Sequence, residues 1–179
     1  MRNLIIGAVA AAALLGAPVA AGAATADPPW TPVINPVNST PNAPPNSPET
    51  LPAGLVCAFA LDIAVVKNKE FQQVTTLADG TTVTRIKGNL VLSFKNDSTG
   101  KTVEENVSGP TTQTTKPDGT GIFQGRGLNY FLFGPHSRIN TGEPGLVFTA
   151  GQITVTSTGD ISQTFTLNGT QQNGCALLS

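Results

Sequence analysis

Apolar and polar residues alternate regularly from residue 55 onward. In the first such run the apolar positions are Leu55, Cys57, Phe59, Leu61, Ile63 and Val65. A period of two indicates a β-strand with one buried face. The pattern therefore predicts that the folded domain covers residues 55–179 and opens with a strand.

The longest alternating run covers residues 81–95. Its apolar side chains share one face, at positions Ile86, Leu90, Leu92 and Phe94. Gly88 falls on that same face in the middle of the run, where a glycine permits a sharp bend. Such a bend allows a long strand to curl, as strands in β-barrels do.

Turn signals separate the alternating runs. Asp79-Gly80 is a hairpin signal, and residues 116–119 read Lys-Pro-Asp-Gly, in which proline and glycine suit successive corners of a turn. We count eight to ten strand candidates, the last over residues 171–178, and no convincing helix. These features predict an all-β fold with antiparallel strands. A closed barrel of about eight strands would leave no open edge, and a two-sheet β-sandwich is the alternative.

The first 26 residues have the features of a secretory signal peptide. Arg2 supplies the positive charge, an alanine-rich apolar run follows, and Ala24-Thr25-Ala26 provides small residues for cleavage. The apolar run is shorter than the ~20 residues that span a bilayer. We therefore expect cleavage after Ala26 and a secreted, extracellular protein with no membrane attachment.

Residues 27–54 are predicted to form a disordered, proline-rich linker. Eight prolines lie between Asp27 and Thr50, and each fixes φ and removes a backbone donor. We expect an extended, partly polyproline-II conformation. Trp30, the only tryptophan, lies in this linker. It is either a docking anchor for a partner or the cell wall, or a side chain that lies loosely on the domain or stays exposed.

Composition restricts the partners. The formal net charge is −1, and no basic stretch could neutralise a run of phosphates, so nucleic-acid binding is not expected. We expect a monomer whose partner is an unidentified small ligand or a surface of the cell envelope.

The two cysteines, Cys57 and Cys175, are predicted to form a disulfide. Export allows oxidation, and the bond would join the first strand to the end of the chain. Reduced or metal-binding thiols are the alternative. Two cysteines and a single histidine make a poor zinc site, so we expect no metal and no cofactor.

Few residues suggest chemistry beyond the disulfide, and we assign none as catalytic. The glycine-dense stretch 119–127 lacks the following helix that a phosphate-binding loop needs, and we interpret its glycines as bends. Arg126 could meet a carboxylate there, while the loop 134–145 carries the only histidine. The candidate ligand-binding residues are Arg126, Tyr130, His136 and Arg138.

The layout of residues 55–179 resembles small exported proteins of high-GC Gram-positive bacteria that have no assigned activity. The stretches that carry this resemblance are 56–59 (VCAF), 96–103 (NDSTGKTV), 133–135 (FGP), 142–147 (GEPGLV) and 175–178 (CALL). The glycine-rich strand that ends at residues 125–127 also resembles dirigent and allene-oxide-cyclase-type barrels in architecture alone.

Three functions are consistent with the sequence. The favoured one is a non-enzymatic secreted β-domain that binds a small apolar ligand or a protein or cell-envelope partner. A second is a cyclase- or isomerase-like barrel enzyme, which requires Arg126, Tyr130 and His136 to converge in one cavity. The third is a cell-surface structural module held off the envelope by the proline-rich linker.

Overall fold

A computed structural model describes residues 27–38, 40, 42–134, 145–158 and 162–179. The predicted signal peptide, residues 1–26, lies outside the described residues. The elements, in chain order, are β1 (Thr31–Pro32), β2 (Glu49–Leu51), β3 (Leu61–Thr76), β4 (Thr82–Asn96), β5 (Thr102–Asn106), β6 (Thr111–Thr115), β7 (Gly121–Phe133), β8 (Gly145–Thr158), β9 (Ser162–Asn173) and α1 (Gly174–Leu178).

All nine strands belong to one antiparallel sheet, which confirms the predicted all-β fold. The main order is β1-β3-β4-β6-β7-β8-β9, with β2 added to β3 and β5 added to β4. Among the described residues β1 and β9 do not pair with each other. The sheet is therefore open, and it differs from the predicted closed barrel.

The sheet folds back on itself instead of closing. The rings of Phe123 and Phe131 lie 5.3 Å apart between centroids, although the two residues are eight positions apart on the same strand. A straight strand would place them about 27 Å apart. Phe165 of β9 also packs against Phe131, at 5.8 Å. The two layers resemble the sandwich alternative, but one continuous sheet supplies both of them.

Glycines mark the bends. Gly127, Gly151 and Gly169 are paired across β7, β8 and β9. Gly151 has a φ of +136°, and a Cβ atom there would overlap the carbonyl oxygen of Asn168. Neighbouring strands can approach so closely only where both side chains are absent. The glycine row therefore allows the sheet to fold.

Gly88 of β4 has the same role beside β3. Its φ is +139°, and a Cβ atom would overlap the Lys69 carbonyl oxygen and lie 2.6 Å from the Glu70 Cα. We expect Gly88→Ala to lower the free energy of unfolding by about 2 kcal/mol, the cost of a forced backbone conformation. Urea denaturation measures this loss.

Gly100→Ala is the matched control for that substitution. Gly100 also has a positive φ, +75°, but no atom lies within 4 Å of its added Cβ. Conformational strain alone should cost about 1 kcal/mol there. If both substitutions lower the free energy of unfolding equally, the close approach of β3 and β4 at Gly88 does not contribute to the effect.

The core has two apolar clusters on opposite faces of β7. Tyr130 and Leu132 face the first cluster, where Phe94 packs edge-on against Tyr130 and Phe148. Phe131 and Phe133 face the second cluster. Both faces of this end of β7 are therefore covered, which explains its continuous apolar run.

Cys57 and Cys175 form the predicted disulfide, with their Cα atoms 5.6 Å apart. The end of the chain differs from the predicted strand, because β9 stops at Asn173 and α1 follows. The Asn173 side chain accepts a hydrogen bond from the Ala176 backbone N–H at 3.0 Å and so caps the helix. Leu178 is completely buried, and its carbonyl accepts a hydrogen bond from the Asn96 side chain.

The described part of the predicted linker lies on the sheet. β1 and β2 both pair with β3, and Val33, Val37 and Leu51 are buried. The prolines are tolerated because β1 and β2 are very short and lie at a sheet edge. This finding differs from the expectation of a disordered linker over residues 27–54. We call residues 28–37 the N-terminal strap.

Candidate ligand groove

A row of polar side chains crosses the outer face of four strands. Arg85 of β4 is paired with Thr112 of β6, Thr112 with Gln124 of β7, and Gln124 with Thr154 of β8. Directly opposed residues of antiparallel strands point to the same face. Hydroxyl, amide and guanidinium groups therefore line one continuous strip.

An open groove of about 590 Å³ follows this strip. Pro110 and the polar row form its floor, and Arg126 and Gln152, which are also paired across β7 and β8, extend it. Trp30 of the strap forms part of its wall. A groove open to solvent suits an extended ligand better than a small enclosed one.

The strap fixes one wall of the groove through specific contacts. The Lys87 ammonium lies 3.9 Å from the centroid of the Trp30 ring, a cation–π contact. The Gln73 amide donates to the Pro28 carbonyl at 2.7 Å and accepts from the Arg85 guanidinium at 3.3 Å. The strap therefore contacts Lys87 directly and Arg85 through Gln73.

The groove carries three exposed cations: Arg85, Lys87 and Arg126. Among the described residues, the two ion pairs both use Lys95, with Asp62 and Asp97. None of the groove cations is therefore paired with a described carboxylate. Arginine presents a planar fork of donors that fits carboxylate and phosphate groups, so the groove is suited to an anion.

A smaller, partly open cavity of about 60 Å³, which we call the interior cavity, shares Ile86 and Thr111 with the groove. Glu70 and Tyr130 both line it, and Glu70 is only 8% exposed. Burial raises the pKa of the Glu70 carboxyl to about 7. Burial and the nearby Glu70 carboxyl also raise the pKa of Tyr130. Within the described structure the Tyr130 hydroxyl has no hydrogen-bond partner.

Two of the four predicted ligand-binding residues, Arg126 and Tyr130, lie at different places in the described structure. Arg126 lines the outer groove, whereas Tyr130 lines the interior cavity. His136 and Arg138 lie outside the described residues. The convergence that a barrel enzyme would require is therefore not found between Arg126 and Tyr130.

Sequence reasoning did not assign Arg85, Lys87 or Gln124 to a site. Arg85 and Lys87 alternate on the outer face of β4, a signal that the sequence does contain. Their proximity to Arg126 depends on β6 pairing with both β4 and β7, which no local pattern reveals. Trp30 is the one groove residue besides Arg126 for which the sequence suggested a binding role, as a docking anchor.

No group of three or more potential metal ligands is present in the described ranges. Within the same ranges, no α-helix has the length and apolar character that a membrane crossing requires.

Comparison with models of known protein families, with curated proteins and with solved structures returns no match.

Proposed function

We propose that the protein is an exported, non-enzymatic binding module whose outer groove takes an extended anionic glycan of the cell envelope. The observation that carries the proposal is the set of three exposed cations, without described carboxylate partners, beside a row of hydroxyl and amide groups. Guanidinium groups bind carboxylate or phosphate through charge-assisted hydrogen bonds. The threonine and glutamine side chains can donate to and accept from sugar hydroxyls.

Export is part of the proposal. It rests on the predicted signal peptide over residues 1–26 and is supported by the Cys57–Cys175 disulfide, since disulfides persist in oxidising compartments. An exported protein meets envelope polymers that carry carboxylates and phosphates. Extended polymers of this kind match an open groove better than they match an enclosed pocket.

The other two candidate functions have less support. The interior cavity of about 60 Å³ is far smaller than the ~300–1,000 Å³ of typical small-molecule pockets, so it is small for an apolar ligand. A cyclase-like reaction lacks the convergence of Arg126 and Tyr130. A structural role held off the envelope by a free linker is weakened because the described linker residues pack on the sheet.

Titration with oligogalacturonate tests the proposed function. Binding would be followed by the fluorescence of Trp30, the only tryptophan, and by calorimetry. We expect saturable binding that weakens as salt is added, because cations supply much of the attraction. A neutral maltooligosaccharide of the same length should bind far more weakly. Equal binding of the two sugars, or stronger binding of an acidic peptide such as oligoglutamate, would overturn the glycan assignment.

Arg126→Gln should weaken oligogalacturonate binding about tenfold, equivalent to about 1.4 kcal/mol, through loss of a charge-assisted hydrogen bond. Arg126 is exposed, so the fold should be unaffected, and thermal unfolding checks this. Lys116→Gln is the matched control because Lys116 is an exposed cation that does not line the groove. A similar loss from both substitutions would indicate nonspecific attraction to the whole surface.

A further inference from the structure

The N-terminal strap runs beside Glu70 along the edge of β3. The Val33 backbone N–H donates to the Glu70 carbonyl at 3.0 Å. Asn68 donates from its side chain to the Val33 carbonyl at 2.7 Å and accepts from the Glu70 backbone N–H at 3.0 Å. Pro36 of the strap lines the interior cavity together with Glu70. The strap therefore contributes one side of the cavity that holds this carboxyl group, at Pro36.

The other end of the same strap reaches the groove. The Pro28 carbonyl accepts a hydrogen bond from Gln73, which in turn accepts one from Arg85, and the Lys87 ammonium lies over the Trp30 ring. Residues 28–37 contain no charged side chain, so the strap is held by hydrogen bonds, the cation–π contact and burial. One strap therefore borders the cavity at Pro36 and contacts the surroundings of two groove cations at Pro28 and Trp30.

The surroundings of Glu70 favour its neutral form. On β7 the titratable neighbour in the described structure is Tyr130, and the other polar groups that line the cavity are the neutral side chains of Thr111, Gln113 and Asn129. On β4 the partner of Glu70 is Gly88, and Lys87 lies over Trp30 in the outer groove. No described cation lines the cavity, so an ionised Glu70 would have to be solvated by water that enters the cavity, which the strap borders at Pro36.

We propose that a proton on Glu70 keeps the strap seated, and that its loss releases the strap and weakens ligand binding in the groove. The second half of this inference rests on the proposed function. In the seated state Trp30 and Arg85 are positioned for a ligand. If only that state binds, apparent affinity falls with its population.

Trp30 makes the strap observable without any ligand. We expect acrylamide quenching of its fluorescence to increase at least twofold between pH 5.5 and pH 8.5, with a midpoint near 7, where the buried Glu70 carboxyl titrates. Trp30 is already 36% exposed with the strap seated, so Glu70→Gln should keep the lower quenching of the seated state at every pH. Glu49→Gln and His136→Gln should keep the transition of the unchanged protein. A flat profile in the unchanged protein, or a transition that survives Glu70→Gln, would overturn the switch.

Oligogalacturonate binding supplies the second measurement. Its carboxylates stay ionised throughout this range, so the dissociation constant should rise severalfold from pH 6 to pH 8.5 in the unchanged protein and stay constant in Glu70→Gln. A fluorescence transition without glycan binding at either pH would reject the proposed function and leave the strap switch standing. Glycan binding without a fluorescence transition would reject the switch alone.

Discussion

Replacing both Cys57 and Cys175 with alanine lowers the free energy of unfolding by about 5 kcal/mol. The bond closes a separation of 118 residues, and in the loop-closure model the stabilisation grows with the logarithm of that length. Removing the bond acts mainly on the unfolded chain, which gains conformational entropy. The folded state changes little, because the two ends of the domain remain packed. Cys57 is 4% exposed, and Leu178 is completely buried three residues after Cys175. Guanidinium denaturation of the two proteins measures the difference.

The reduced, unaltered protein is the control for this double substitution. It keeps both sulfur atoms in the core and loses only the bond, so it should be destabilised nearly as much as the alanine variant. A large loss in the alanine variant together with a small one on reduction would mean that sulfur packing, not the cross-link, stabilises the fold. A loss below about 1 kcal/mol in both cases would contradict the loop-closure argument itself.

Local patterns in the sequence were sufficient to predict the class of fold. The alternation through Leu90, Leu92 and Phe94 correctly assigned the buried face of β4, since all three side chains are buried. Gly88 was correctly placed at a special backbone position. These features depend on residues close in the chain, where strand periodicity determines which side chain faces inward.

Features that depend on distant pairing could not be predicted in the same way. Prolines suggested a free linker, but burial of Val33 and Val37 holds the strap on the sheet. The closing helix α1 has only five residues, too few to show helical periodicity. The groove is formed because β6 lies between β4 and β7, which brings Arg85 and Arg126 to the same face. Strand order of this kind is set by the whole fold and leaves no local signature.

Raising the pH from 5 to 8.5 should destabilise the protein by about 3 kcal/mol through Glu70. The pKa of this carboxyl is about 7 in the folded protein, against the ordinary value of 4.5 expected after unfolding. Because the folded state binds the proton more tightly, the stabilisation is fully present below pH 4.5 and is lost as pH rises through 7. The difference between the two pKa values sets the size of the loss. Urea denaturation at several pH values measures it.

Glu70→Gln isolates this contribution because glutamine keeps the size of the side chain and cannot ionise. The variant should lack the Glu70 part of the pH dependence, and it should therefore exceed the unchanged protein in stability at pH 8.5.

Burial also raises the pKa of Glu49, so Glu49→Gln measures any contribution of the same sign from that residue. Asp79 and Asp118 have lowered pKa values because each accepts hydrogen bonds from a nearby threonine, and their stabilisation is lost only in stronger acid. Parallel stability curves for the unchanged protein and Glu70→Gln across this range would show that the interior carboxyl is solvated, and the basis for a proton-controlled strap would then be lost.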